Sequence, residues 1–186
     1  MSKAVMLSIR PKWCEKIASG EKTIEVRKTR PNLPTPFKGY IYCTQGNDAR
    51  RLRGSWGKVI GEFVCDCVTP LYNVCMDDWK RLAGGLHNIE KELVNQACLT
   101  EAKLHTYAGG KNCFAWHISN LKIYDAPKKL GDFWRDCPEY SELSTNCWSC
   151  ENVCGDGNET DCNTDGRLYL HRPPQSWCYV EAIDNG

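Results

Sequence analysis

One segment, residues 20–27, constrains the fold of this chain more than any other. It reads Gly-Glu-Lys-Thr-Ile-Glu-Val-Arg and follows a short amphipathic helix, which itself follows the apolar run at residues 6–9. Because side chains alternate across a strand, Glu25 and Arg27 are predicted to share one face while Val26 points to the other. The segment therefore predicts a strand–helix–strand start whose second strand carries a charged face.

Local signals set the ends of these first elements. Pro11 suits the first turn of a helix, Trp13 and Ile17 form an apolar pair at helical spacing, and Gly20 is suited to end the helix. We expect strands at about 23–28 and 39–44. The proline-rich stretch at 30–36 is predicted to be a loop lying near the charged strand.

Length and composition exclude several classes of protein. The 186 residues allow one sizeable domain with an appendage, and 41% hydrophobic with 25% charged residues is ordinary for a globular protein. A net charge of +1 argues against a broad duplex-binding surface but permits a local basic patch. No signal-peptide core follows the Met-Ser-Lys start and no apolar run is long enough to span a membrane, so we expect a cytoplasmic protein without membrane contact.

Two further segments bear on a binding site. Residues 47–57 place three arginines beside Trp56, which suits base stacking, although Trp56 packing down on the fold is equally consistent. The strand predicted at 58–68 carries Glu62, a second acidic group that would meet the charged strand if the two are neighbours. His117, in an alternating strand at 113–118, is interpreted as structural.

The remaining pattern predicts helices and a closing strand. Helical spacing occurs within 76–110, where one helix carries Trp79 and Leu82 and another starts at Thr100 and ends at Gly109. The alternating run at 177–180 should be a final strand pairing beside the first.

The cysteines divide into two groups. Most of the 13 lie in apolar patterns and are interpreted as small buried hydrophobes in a reduced compartment. Cys147, Cys150, Cys154 and Cys162 instead lie in a polar stretch at Cys-x2-Cys-x3-Cys-x7-Cys spacing, which favours structural zinc, with reduced thiols or a labile disulfide pair as alternatives. Cys137, or less well His171, is a substitute ligand.

These motifs together resemble the ASCH domain family of the PUA-like superfamily. The resemblance rests on residues 7–11, the 20–27 segment, the strand at 39–44, Val59-Ile60-Gly61-Glu62-Phe63 and Trp116-His117-Ile118. It covers roughly residues 1–130 and the closing strand, and it implies a small PUA-like β-barrel with a helix after the first strand. With the helical insertion at about 76–110 and the cysteine-rich loop, which lies outside the resemblance, the expected fold class is α+β. Residues 1–135 with 167–186 would form the barrel, and 136–166 the cysteine-rich, zinc-binding insertion.

The resemblance also implies a function and a site. Family members are expected to bind RNA or modified nucleosides in a cleft beside the first helix, and some hydrolyse the amide of N(4)-acetylcytidine or cleave single-stranded RNA. Lys22 would be the catalytic or substrate-polarising group. In the amidohydrolase branch the residue three positions later is a nucleophilic threonine, whereas this chain has Glu25, a carboxylate that can act as a base but cannot replace a hydroxyl.

Three hypotheses follow from the sequence. The first is an RNA or modified-nucleoside binding module, with Lys22 and Glu25 at the centre of a cleft. Its other predicted contacts are Arg27, Ser8, Arg10, Thr44, Trp56, Ser176 and Trp177. The second is a hydrolase of a nucleoside amide or single-stranded RNA that uses Lys22 and Glu25, and the third is a zinc-organised protein-interaction module. The alternative to a functional site is that Lys22 and Glu25 form a plain surface ion pair.

Overall fold

The structure is a computed structural model that describes residues 2–46, 53–74, 85–87, 91–137 and 166–183. In chain order its elements are β1 (Lys3–Ile9), α1 (Pro11–Ala18), β2 (Ile24–Arg27), β3 (Phe37–Cys43), β4 (Lys58–Cys65), β5 (Val68–Val74), β6 (Gly85–His87), α2 (Lys91–Gln96), α3 (Glu101–Ala108), β7 (Cys113–His117), β8 (Ser119–Lys129), β9 (Trp134–Asp136), β10 (Arg167–Tyr169) and β11 (Trp177–Glu181). Of the helices described, none has the length and apolar character needed to cross a membrane.

The strand–helix–strand start forms as its local signals predict. Pro11 occupies the first turn of α1, where its missing N–H costs nothing, and the helix ends at Ala18. Gly20 follows with a φ of +77°, a conformation that glycine adopts without strain. Cys14 and Ile17 are fully buried, so this face of α1 anchors the helix on the core.

The first strand lies near the centre of a five-stranded sheet with the order β11-β1-β3-β4-β8. The pair β1–β3 is parallel, whereas β1–β11, β3–β4 and β4–β8 are antiparallel. The pairing of the last strand beside the first, from Lys3↔Glu181 to Leu7↔Trp177, is as predicted. Since β1 and β3 run parallel, their carboxyl ends meet at one edge of the sheet.

The described strands do not form the closed barrel that the resemblance implies. They are divided into the five-stranded sheet, a four-stranded sheet of order β2-β7-β5-β6 and the two-stranded pair β9–β10. The charged strand β2 hydrogen-bonds to β7 rather than to β1 or β11, so at this point the strands are not closed into a barrel by hydrogen bonds. The fold is mixed α and β with strands dominant, as predicted, but its two larger sheets are joined by side-chain packing.

Two apolar clusters hold these layers together. The first joins β1, α1, β3 and β4 to β7 through Trp116, which is fully buried and meets Phe37 edge-on at a centroid distance of 5.6 Å. The second packs Ile24 and Val26 of β2 against α2 and α3. The apolar side chains of the charged strand are therefore buried beneath helices.

The helical insertion predicted at about 76–110 is only partly helical. Helix α3 has the predicted ends: Thr100 accepts a hydrogen bond from the backbone N–H of Lys103 at 3.3 Å, and Gly109 closes the helix with a φ of +56°. However, β6 (Gly85–His87) lies within the same stretch and extends the four-stranded sheet by pairing with β5. The predicted helix with Trp79 and Leu82 lies outside the described residues.

Glu62 does not meet the charged strand, because β4 lies between β3 and β8 instead of beside β2. Its carboxylate pairs with Lys38 at 3.2 Å and accepts a hydrogen bond from the Tyr124 hydroxyl at 2.7 Å. Because β4 and β2 are not neighbours, Glu62 does not bring a second acidic group to Lys22. Glu62 serves to cross-link β3, β4 and β8.

The described residues that flank the cysteine-rich stretch lie next to each other. Strands β9 and β10 pair antiparallel, and the backbone N–H of Cys137 donates to the carbonyl of Gly166 at 2.9 Å. The two ends of the stretch are therefore adjacent, which is the geometry of an insertion. The cysteines predicted to bind zinc lie outside the described residues, and within the described chain no group of three or more metal-ligating side chains is present.

We predict that Gly39→Ala destabilises the fold by about 1–3 kcal/mol, because a methyl group there would overlap the ring of buried Phe63. Urea denaturation of both proteins measures the change. Gly131→Ala is the control, since a methyl group at Gly131 has open space around it. Equal stability of the two variants would contradict the packing of β3 against Phe63.

Candidate functional site

A buried chain of three charges runs from Lys22, just before β2, to Arg27 at the end of β2. Glu25 lies between two cations: its Oε2 is 3.1 Å from Lys22 Nζ and its Oε1 is 3.2 Å from Arg27 Nη2. Lys22 is 3% exposed, and Glu25 and Arg27 are each 8% exposed. The alternative of a plain surface ion pair between Lys22 and Glu25 is excluded, because both side chains are almost completely removed from solvent.

Three oxygen atoms of the protein surround the Lys22 ammonium. Nζ donates to the carbonyls of Ile24 at 2.7 Å and Ala97 at 2.8 Å, and it pairs with Glu25. An ammonium group has three donors and no acceptor, so most of its hydrogen-bonding capacity is used within the protein. Lys22 therefore ties β2 to the turn after α2 and fixes the position of the Glu25 carboxylate.

Arg27 connects three separate parts of the chain. Its Nη2 donates to the carbonyl of Ser8 at 2.8 Å and contacts Glu25, while Nη1 donates to the Ser176 hydroxyl at 3.4 Å. Arg27 Nε and Ser8 Oγ are both buried without a hydrogen-bond partner among the described residues. Buried polar atoms of this kind cost about 1–3 kcal/mol each, so the site retains unused polar capacity.

These residues form the floor of a cleft of about 540 Å³. It lies where the parallel strands β1 and β3 end, at Ile9 and Thr44, whose backbones are joined by a 2.9 Å hydrogen bond. Ligand sites commonly occur at the carboxyl ends of parallel strands. The cleft is lined by Ser8, Ile9, Arg10, Trp13, Lys22, Glu25, Val26, Arg27, Thr44, Leu99, Lys103, Tyr107, Pro173, Pro174 and Gln175.

The lining combines positive charge with flat apolar walls. Among these described residues four cations face one carboxylate, and two of the cations, Arg10 and Lys103, are exposed at the rim. Trp13 and Tyr107 contribute aromatic surface, and Tyr107 is 41% exposed. Burial raises the pKa of the Tyr107 phenol, with the charge of Arg27 opposing the shift, so the hydroxyl keeps its proton at neutral pH.

The cleft includes most of the residues predicted from the sequence, and these are Ser8, Arg10, Lys22, Glu25, Arg27 and Thr44. Ser176 lies behind it, against Arg27. Trp177 packs on Trp116 and donates its indole N–H to Thr29 at 2.9 Å, and Trp56 packs on the main core, so neither lines the cleft.

Sequence reasoning missed part of the lining. Tyr107 and Lys103 sit on α3, and the segment Pro173–Gln175 reaches the cleft from before β11. The only feature of the sequence that pointed to residues 173–175 was that they directly precede Ser176, which was predicted to contact the ligand. The predicted loop at 30–36 does not line the cleft. His117 Nε2 lies 3.0 Å from the hydroxyl of Thr69, outside the cleft, as suits a structural role.

Comparisons with known proteins identify the family. The ASCH domain matches residues 7–153, most of the 186 residues, so the chain belongs to the ASCH domain family. The resemblance seen in the sequence motifs is thereby confirmed. No curated protein matches the chain.

Solved structures with the same fold include ASCH from Zymomonas mobilis, with a TM-score of 0.54 and 17% identity over 96% of this chain and 87% of that one. A tyrosine-to-phenylalanine variant of that protein gives a TM-score of 0.50 and 18% identity, covering 97% and 91% of the two chains. A serine-to-alanine variant gives 0.53 and 18%, covering 96% and 88%. At these identities the likeness shows the fold alone.

We predict that Lys22→Met destabilises the protein by about 3–5 kcal/mol, because it leaves Glu25 buried with one cation fewer and two carbonyls without a donor. Thermal or urea unfolding measures the loss. Lys16→Met is the control, since Lys16 forms an exposed pair with Glu21 and should change stability little. A similar small effect for both substitutions would show that the Lys22 cross-link does not hold the fold.

Proposed function

We propose that this ASCH domain binds RNA by accepting one nucleotide in the cleft on β2. The buried charge chain of Lys22, Glu25 and Arg27, set at the floor of an open cleft, is the observation that carries this proposal. Fold stability alone does not require three buried charged side chains, because replacing a buried ion pair by apolar residues is often neutral or stabilising. Charges at a cleft floor are instead typical of a binding site.

Size and shape support a nucleotide. Small-molecule sites usually span about 300–1,000 Å³, and the cleft volume of 540 Å³ lies within that range. Val26, Leu99 and the rings of Trp13 and Tyr107 supply apolar surface that suits a flat heterocycle. Stacking of a base on an aromatic side chain contributes about 1–3 kcal/mol in single-stranded RNA recognition.

Charge at the rim supports binding of a phosphate. Arg10 and Lys103 are both exposed and both line the cleft, so a base inserted between them would bring its phosphate within their reach. Arg10 also precedes the first residue of α1, whose N-terminal end carries partial positive charge. A ligand with a flat apolar part and an anionic part matches this arrangement.

The hydrolase hypothesis receives less support. Lys22 would need a free N–H or lone pair to act on a substrate, yet its ammonium already donates to two backbone carbonyls and pairs with Glu25. Glu25 is the remaining candidate for proton transfer, without the hydroxyl nucleophile of the amidohydrolase branch. We therefore expect no turnover of acetylated cytidine. A cytoplasmic location stays a prediction from the sequence.

Structural zinc in the cysteine-rich insertion is a separate proposal. The adjacent backbones of Cys137 and Gly166 support it, because an insertion closed at its base has few residues with which to build a core. Four thiolates at the spacing of Cys147, Cys150, Cys154 and Cys162 would supply the folding free energy through the metal. Such a fully ligated site would be structural rather than catalytic.

We predict that the protein binds single-stranded RNA with an affinity that falls as salt rises. Replacing both Arg10 and Lys103 with glutamine should weaken binding and flatten the plot of log affinity against log salt, by about 0.7 for each phosphate group that the variant no longer neutralises. Fluorescence anisotropy of a labelled oligonucleotide at several salt concentrations gives both quantities.

The control for this titration replaces Lys122 and Lys129, which are exposed on β8 and do not line the cleft, with glutamine. This variant removes the same charge and should keep most of the affinity. If the two double variants lose affinity equally, binding depends on overall charge and the cleft is not the RNA site. Negligible affinity of the unmodified protein at low salt would refute the proposed function.

We predict about one zinc ion per chain in protein purified without added metal, since four cysteine ligands saturate a tetrahedral site. Elemental analysis measures the content. Cys150→Ser should remove the metal, whereas Cys67→Ser, at an exposed cysteine far from the insertion in sequence, should retain it. Metal-free protein, or equal zinc in both variants, would contradict the assignment.

A further inference from the structure

We propose that Glu25 selects the base that enters the cleft, favouring bases with an exocyclic amino group over their oxo counterparts. This inference rests on the proposed function and deepens it, because it names the class of nucleotide that the site accepts. Cytosine and adenine would be preferred to uracil and hypoxanthine.

The carboxylate of Glu25 is held in one orientation. Lys22 pairs with Oε2 and Arg27 with Oε1, so rotation of the group would break one ion pair or the other. A carboxylate oxygen has two lone pairs, and each of these two oxygens has one such partner, which leaves acceptor capacity on both. Glu25 lines the cleft, so this remaining capacity is available to a ligand.

The cations beside Glu25 cannot readily offer donors in its place. Lys22 Nζ donates to two backbone carbonyls and Arg27 Nη2 donates to the carbonyl of Ser8, and both groups are also ion-paired with Glu25. Arg27 Nε has no partner in the described part of the chain, but it is shielded from solvent. Glu25 is the one carboxylate among the described lining residues, and the edge of a base that meets it must carry a donor.

An amino group and a carbonyl group differ strongly in how they interact with a carboxylate. The amino group of cytosine or adenine donates N–H to a carboxylate, which is a known mode of cytosine recognition. The carbonyl oxygen of uracil or hypoxanthine has only lone pairs there and would face a negative charge, which a buried site rejects strongly. We expect a preference of about tenfold or more.

Four nucleoside monophosphates test the inference as two matched pairs. Cytidine and uridine 5′-monophosphate are nearly equal in size and differ in an amino-to-oxo exchange and in the proton that accompanies it on the neighbouring ring nitrogen, as do adenosine and inosine 5′-monophosphate. Isothermal titration calorimetry at low salt should show at least about tenfold tighter binding of the amino member in both pairs. This comparison uses the unmodified protein, so it does not depend on the folding of any variant.

A single substitution then assigns the preference to Glu25. Glu25→Gln keeps the shape of the side chain, and its amide can present either an N–H or a carbonyl, so the preference within each pair should fall to about threefold or less. Glu21→Gln makes the same chemical change at an exposed residue outside the cleft and should leave the preference intact.

The outcomes separate this inference from the proposed function. Equal binding within both pairs, or tighter binding of the oxo members, overturns base selection by an acceptor while RNA binding through the cleft remains. A preference that survives Glu25→Gln overturns the role of Glu25 alone. If none of the four nucleotides binds and RNA also fails to bind, the proposed function falls and the inference falls with it.

Discussion

The ion pairs that Glu25 makes with Lys22 and Arg27 connect the parts of this structure that no sheet joins. Through Lys22 the carboxylate is tied to the carbonyl of Ala97 after α2, and through Arg27 it is tied to β1 and to Ser176 before β11. Strand β2 has only four residues and hydrogen-bonds to β7 alone within its sheet at this point. The charge chain therefore fixes how the four-stranded sheet meets the parallel edge of the five-stranded one.

This arrangement has an energetic cost that bears on function. Two cations and one carboxylate leave a positive charge in excess, and carbonyl oxygens of Ile24, Ala97 and Ser8 offset part of it. Replacing a buried ion pair by apolar residues is often neutral or stabilising in proteins, so stability alone does not require such a chain. A ligand that offers a donor to Glu25 and an anionic group to the rim would complete the electrostatic balance.

The sequence predicted those features that depend on neighbouring residues. Pro11 and Gly20 bounded the first helix, and alternation placed Glu25 and Arg27 together on the polar side of β2. The sequence did not predict features that depend on distant residues. The carbonyl of Ala97 that accepts from Lys22 lies 75 positions away. Tyr107 reaches the cleft only because α3 packs on β2. The pairing of β11 beside β1 was predicted, but that of β2 with β7 was not, since alternation is equally strong whichever neighbour a strand takes.

The most direct measurement of the central claim is a ¹H–¹⁵N NMR titration of the protein with cytidine 5′-monophosphate. The account predicts that the largest shift changes fall on backbone amides around the cleft, at Glu25, Arg27 and Tyr107, while the amides of β8 stay unchanged. Shift changes concentrated on β8 or spread evenly over the surface, with β2 unaffected, would contradict a nucleotide site built on the buried charge chain.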